Sequence, residues 1–143
     1  MAETVGPYTL QKRLGAGGLG ETWLAVNKAE KPVALKRLTA DLSDDPEYVR
    51  KLNAAGKTAH SLKHPNIASL MNAGIDNGRA WLVYEWRDAV NLRDSLTASG
   101  LPSLPDVARI ARGLLLGLNA LHQIGPFHGG VSATNVLISR GEP

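Results

Sequence analysis

The chain has no cysteine among its 143 residues, so a disulfide framework and a zinc–thiolate centre are both excluded. Aromatic residues make up only 5% and do not interleave with basic ones, which removes the base-stacking platform of a single-strand nucleic-acid binder. The net charge is +3, but the sixteen lysines and arginines are scattered, with no run longer than a pair such as Lys12–Arg13. Clustered cations would be needed for counterion release from a phosphate backbone, so no nucleic-acid partner is expected. No stretch of eighteen or more apolar residues occurs, and the first residues, Met1-Ala2-Glu3-Thr4, carry no apolar signal core. A cytoplasmic chain with no membrane segment is the expectation. What is present suits a folded domain: 43% hydrophobic and 20% charged residues, at a length able to bury a core.

Strand signals fill the first third, at Tyr8 to Leu14, Glu21 to Val26 and Pro32 to Leu38, with Asn27 to Lys31 as a polar turn. Two more candidates, Ile67 to Met71 and Arg79 to Trp86, flank Asp76-Asn77-Gly78. Asn-Gly is a strong hairpin signal because both residues tolerate positive φ. Between these strands a helix is expected, capped by Ser43, Asp44 or Asp45, with Pro46 in its first turn. Val49, Leu52, Ala55, Ala59 and Leu62 recur along it at helical spacing, and it should stop before His64–Pro65. A longer helix is expected from Ser103, with Asp106 as capping-box partner. Its apolar stripe is Val107, Ile110, Ala111, Leu114, Leu118 and Leu121, widened by Leu115 and Leu116. Val131 to Ile138 returns to strand character. The order implies an α+β fold with two lobes.

Leu14 to Thr22 contains G-x-G-x-x-G, with glycines at 15, 17, 18 and 20. In a dinucleotide-binding fold the third glycine opens a helix. Here strand-like sequence runs on through Glu21 to Val26, so the glycines belong to a hairpin, where missing side chains let backbone N–H groups approach phosphate. Sixteen residues after Gly20 stands Lys36, in Val33-Ala34-Leu35-Lys36. By type, spacing and order these segments resemble the protein kinases, and in particular the bacterial Ser/Thr kinases. His64-Pro65-Asn66-Ile67 looks like the lead-in to that family's fourth strand, and Trp81 to Trp86 like its fifth strand and hinge, with Tyr84 at the gatekeeper position. Asn91–Leu92 would start the helix after the hinge. His128 to Ile138 takes the place of the catalytic loop, H-R-D-L-K-P-x-N, and the strand that follows.

The resemblance implies an antiparallel N-lobe sheet with one helix and a hinge over residues 1–86, and the start of a helical C-lobe over 87–143. It implies a nucleotide site made by Gly15, Gly17, Gly18, Gly20, Lys36, Glu85 and Asn135. The pattern also breaks. Gly130 stands where the family has its general-base aspartate, with Gly129 and Ser132 in place of the arginine and lysine; from His122 on, the only acid is Glu142. Loss of a positioned base removes about 10² to 10⁴ in rate. Ala55 occupies the place of the helix glutamate that pairs with the strand lysine. The nearest acid on that helix, Glu47, is about 12 Å away along the axis at 1.5 Å per residue. The D-F-G aspartate that holds magnesium would fall beyond Pro143, which leaves no complete magnesium site.

The expectation from the sequence is therefore a non-enzyme: a truncated pseudokinase serving as an interaction or regulatory scaffold, with ATP bound weakly if at all. A protein partner or a second copy is expected to cover the apolar helix 107–121. The alternative is an ATP-binding Ser/Thr kinase, or another transferase, whose remaining catalytic residues lie outside this chain. His60 and His64, four apart, lack the glutamate of a zinc-protease helix, and no metal is assigned to them.

Overall fold

The computed structural model describes residues 2–124, 132–133 and 135–139. They form two compact units, one of residues 1–63 with 68–86 and one of residues 64–67 with 87–143.

The first unit is built on a six-stranded antiparallel sheet. Its strands are β1 (Thr4–Val5), β2 (Tyr8–Gly17), β3 (Gly20–Val26), β4 (Pro32–Leu38), β5 (Leu70–Asp76) and β6 (Arg79–Glu85), in the order β1-β2-β3-β4-β6-β5. Strand alternation sends Trp23, Ala25, Val33, Leu35, Trp81 and Val83 to one face, where they meet Val5, Tyr8 and Leu10 in a single core cluster. Trp81 organises that cluster. Tyr8 meets it edge to face at 5.6 Å between ring centroids, and Gly6 and Gly74 both lie against its indole. Gly6 N–H donates to the Asp76 carboxylate (2.8 Å) and Asn72 Nδ2 to the Tyr8 hydroxyl (3.1 Å), so the two ends of the strand order are bonded to each other.

The turns follow their sequence chemistry. Asn77 and Gly78 take φ values of 50° and 75° between the paired residues Asp76 and Arg79, the geometry the Asn-Gly signal predicts. Asn27 closes the β3–β4 turn by accepting from the N–H groups of Ala29 and Lys31. Two helices complete the unit: α1 (Ala40–Ser43), capped by Thr39, and α2 (Pro46–His60). Of the three candidate caps for α2, Asp45 is the one used, its carboxylate accepting from the N–H groups of Glu47 and Tyr48. Ser43 instead bridges backbone, donating to the Thr39 carbonyl and accepting from Ala80 N–H.

The second unit contains β7 (Ala89–Asn91), α3 (Leu92–Ser99), α4 (Leu104–Ile124) and β8 (Leu137–Ser139), with β7 and β8 paired antiparallel. Asn91 caps α3 by accepting from Asp94 N–H at 2.8 Å. At the start of α4, Asp106 N–H donates to the Ser103 hydroxyl, the forward half of the expected capping box, while the Asp106 carboxylate accepts from that hydroxyl rather than from the Ser103 backbone N–H.

Two expected strands are corrected. Ile67 is not in a strand: Asn66 N–H donates to His64 Nδ1 and Ile67 N–H to the His64 carbonyl, and this turn delays β5 to Leu70. Ile67 and Asn66 pack on Gly117 of α4, which explains an apolar residue there without a strand. Of the strand expected over Val131 to Ile138, Val131 and Thr134 lie outside the described residues; the described part forms β8 only at Leu137–Ser139, with Asn135 N–H bonded to the Ser132 carbonyl in a turn before it. Along α4, Val107 and Ala111 of the apolar stripe are exposed, and Ile110, Leu114, Leu118 and Leu121 are half-buried. Among the described residues no helix is long and apolar enough to cross a membrane.

Candidate functional site: the glycine hairpin and Lys36

The β2–β3 hairpin turns through Gly18 and Leu19, with Gly17 and Gly20 as its last pair. Its four glycines are not alike. A side chain on Gly20 would fall on the Arg37 carbonyl oxygen, and its φ of +147° already excludes other residues, so the hairpin's own packing on β4 demands glycine there. Gly15, Gly17 and Gly18 have ordinary φ values, are exposed, and have nothing within 4 Å of where a Cβ would sit. Among the described residues nothing requires glycine at those three positions.

Lys36 lies on β4 directly opposite Thr22 of β3 and Leu82 of β6. It is half-buried, and among the described residues it makes no ion pair. Alternation places Thr22, Ala34, Lys36 and Leu82 on the face opposite the Trp81 core. Ala55 is half-buried in the third turn of α2, and Glu47 is spent on an exposed ion pair with Lys51 at 3.1 Å. Tyr84 follows on β6, opposite Ala34; burial first, and Tyr48 second, pushes its hydroxyl pKa up. Glu85 is tied to the segment before β5: its N–H donates to the Ser69 carbonyl (3.0 Å) and its carboxylate accepts from Ser69 N–H (3.2 Å). Asn135, in the second unit, is exposed in its turn. Gly130, Gly129 and His128 lie outside the described residues.

Sequence reading missed a charged cluster on the other face of the same strands. Arg37 grips one oxygen of Glu21 through both Nε (2.8 Å) and Nη2 (2.5 Å), and its Nη1 reaches Glu3 at 2.6 Å. Arg79 Nη1 and Arg13 Nε approach the Glu21 carboxylate at 3.7 Å. Burial raises the Glu21 pKa, but hydrogen bonding and charge from Arg37, with Arg79, outweigh it and hold the carboxyl below its ordinary value. The Arg37 guanidinium is correspondingly pushed up: burial opposes the charge, and bonding to Glu3 and Glu21 overcomes it.

Against this geometry, the protein kinase domain family model matches residues 8–142. The chain belongs to the protein kinase domain family. It is 33% identical over 134 residues to the serine/threonine-protein kinase PknJ of Mycobacterium tuberculosis, covering 93% of this chain and 23% of that protein. To PknA of the same organism it is 34% identical over 140 residues, covering 94% of this chain and 32% of the relative. This kinase-family chain thus spans about a quarter to a third of the length of these relatives. In structure it is similar to the kinase domain of M. tuberculosis PknI, with a TM-score of 0.89 at 24% identity, over 98% of this chain and 57% of that one. That likeness establishes the α+β kinase fold, with its antiparallel N-lobe sheet.

The expectation of a non-enzyme, drawn from Gly130, Ala55 and the D-F-G aspartate that falls beyond Pro143, is overturned. Family membership and relatives named as Ser/Thr kinases point to an enzyme. The physical reason is that phosphoryl transfer rests mainly on positioning and charge stabilisation, so departures at a base and at one ion-pair partner are weak grounds for excluding it.

Proposed function

We propose that the chain is the ATP-binding part of a Ser/Thr protein kinase, acting with magnesium and with catalytic residues supplied from outside these 143 residues. One observation carries the reading. Three exposed glycines with no structural requirement of their own share a hairpin with Thr22, across the ladder from the half-buried Lys36. Open glycines let backbone N–H groups approach a phosphate, and a lysine with no ion-pair partner among the described residues supplies the charge to meet it. Magnesium would be held mainly by groups beyond this chain, with Asn135 as the one ligand that the family resemblance assigns here.

The test is calorimetric titration of the folded chain with ATP, with and without magnesium, and of Lys36→Ala. Binding that is lost in the variant is expected. A folded chain giving neither heat nor a thermal shift overturns the reading. Labelled-phosphate transfer to a serine- or threonine-bearing protein is then measured on a full-length protein carrying this segment.

A second reading, association with a protein partner or a second copy, is favoured by the exposed leucines of α4. Leu104 is 84% and Leu115 66% exposed, and Val107 joins them on one face.

A further inference from the structure

Glu21 and Arg37 each sit one residue away from a group in the proposed nucleotide site: Glu21 follows Gly20, and Arg37 follows Lys36. The β3–β4 register pairs Glu21 with Arg37 and Thr22 with Lys36. The same two strands therefore present an ion pair on one face and the site's lysine on the other. We propose that Glu21 is a positioning residue for nucleotide binding, fixing the root of the glycine hairpin to β4 through Arg37 so that the tip is already ordered when ATP arrives. The proposal rests on the ATP-binding reading above.

The root needs such a tie because the tip has few of its own. Residues 11–19 are all exposed, and beyond the strand ladders the tip has one backbone bond among the described residues, Thr39 N–H to the Leu19 carbonyl at 3.1 Å. Three unconstrained glycines lose much conformational freedom on ordering. If the hairpin visits its binding arrangement for only a fraction of the time, the apparent dissociation constant rises by the inverse of that fraction.

Glu21 is suited to hold the root. Its side chain and that of Arg37 are 16% and 14% exposed, so solvent screens the pair little, and two guanidinium nitrogens on one oxygen fix direction as well as distance. It is also the shared counter-charge of three strands: Arg13 on β2, Arg37 on β4 and Arg79 on β6 all approach its carboxylate. Without it those guanidiniums would face one another with Glu3 alone among them. The repulsion would act between the outer hairpin strand and the strands it must stay close to.

The experiment compares the chain with Glu21→Gln, Arg37→Met and the double variant, with Glu47→Gln as an exposed ion-pair control. Two quantities are read: the ATP dissociation constant, and hydrogen exchange of the amides of residues 14–24 and of β6 without nucleotide. Glu21→Gln is expected to weaken ATP binding by roughly tenfold and to speed exchange in the hairpin while β6 stays protected. The double variant should be no worse than the single ones, since both remove the same tie. Unchanged affinity, or exchange that rises equally in β6, overturns the proposal, the latter by showing a merely structural role. If the parent chain binds no ATP while Glu21→Gln still frees the hairpin, the nucleotide reading fails and the tie itself is upheld.

Discussion

The indole of Trp81 occupies the space where a side chain on Gly74 would lie: a Cβ there would sit 2.5 Å from Cζ2. Gly74 and Trp81 are directly paired across β5 and β6. The contact is between a backbone and a ring that is itself held by Tyr8 and backed by Gly6, so the ring has nowhere to retreat. Gly74→Ala should therefore destabilise the first unit by about 1–3 kcal/mol, the usual range for overpacking a filled core. Urea unfolding followed by tryptophan fluorescence measures it. A midpoint equal to the parent's would mean that the ring is not confined as described.

The Glu21–Arg37 pair has a pH signature whose sign is fixed. The Glu21 carboxyl is held below its ordinary value of 4.5, so its contribution to stability is present above that pH and is lost as pH falls through the folded value. Arg37 is shifted upward from its ordinary, already strongly basic value, so it stays charged and its contribution is complete throughout the acid and neutral range. The stability difference between the parent and Glu21→Gln should thus be level from neutral pH down to about 5 and should shrink on further acidification. Chemical denaturation at pH 7, 5 and 3.5 tests this, and a difference that grows with acid would contradict the pairing.

Much of this architecture is legible in the residues, and the failures have physical causes. Asn77–Gly78, Asp45, Asn91 and the Ser103–Asp106 pair each encode a backbone geometry locally, and each takes it up. Ile67 misleads because its apolar character serves packing against Gly117, a contact that no local pattern announces. The two-residue β1 and three-residue β7 are too short to carry a period. At the site, Gly15 to Gly20 and Lys36 stand out by type and spacing. Glu21 and Arg37 do not, because on paper a charged residue in a half-exposed strand is ordinarily solvated. A signal existed: a hairpin that closes with Val26 opposite Pro32 forces Glu21 opposite Arg37. The further tie to Arg79 and Glu3 needed the folded sheet.

The exposed face of α4 carries its own expectation. Leu104 and Leu115 lie eleven residues, or three turns, apart and so share a face. Left uncovered, that face should bind an apolar dye and promote association of the chain. Leu104→Glu with Leu115→Glu keeps good helix formers in the helix, so it should lower dye fluorescence and association while leaving the unfolding midpoint nearly unchanged. Light scattering and dye titration on the same samples decide it. A parent chain that is monomeric and dye-silent would remove the argument for a partner at this helix.

Gly17 and Gly20 separate the two reasons a glycine can stand in this hairpin. At Gly20 an added Cβ meets the Arg37 carbonyl and the backbone sits at a φ of +147°, so Gly20→Ala must shift β3 away from β4. A loss of about 1–3 kcal/mol is expected from strain of that kind. At Gly17 the space is open and φ is ordinary, so Gly17→Ala should change stability by less than about 0.5 kcal/mol. Its effect should appear only when ligand is added, because the new methyl group stands where a phosphate would approach the backbone. Thermal unfolding with and without magnesium-ATP reads both quantities at once. If Gly17→Ala keeps the parent's midpoint without nucleotide and loses the shift with it, the tip glycines are there for the ligand. If it keeps the ligand-induced shift as well, the phosphate contact lies elsewhere, and the open glycines at 15, 17 and 18 lose their explanation.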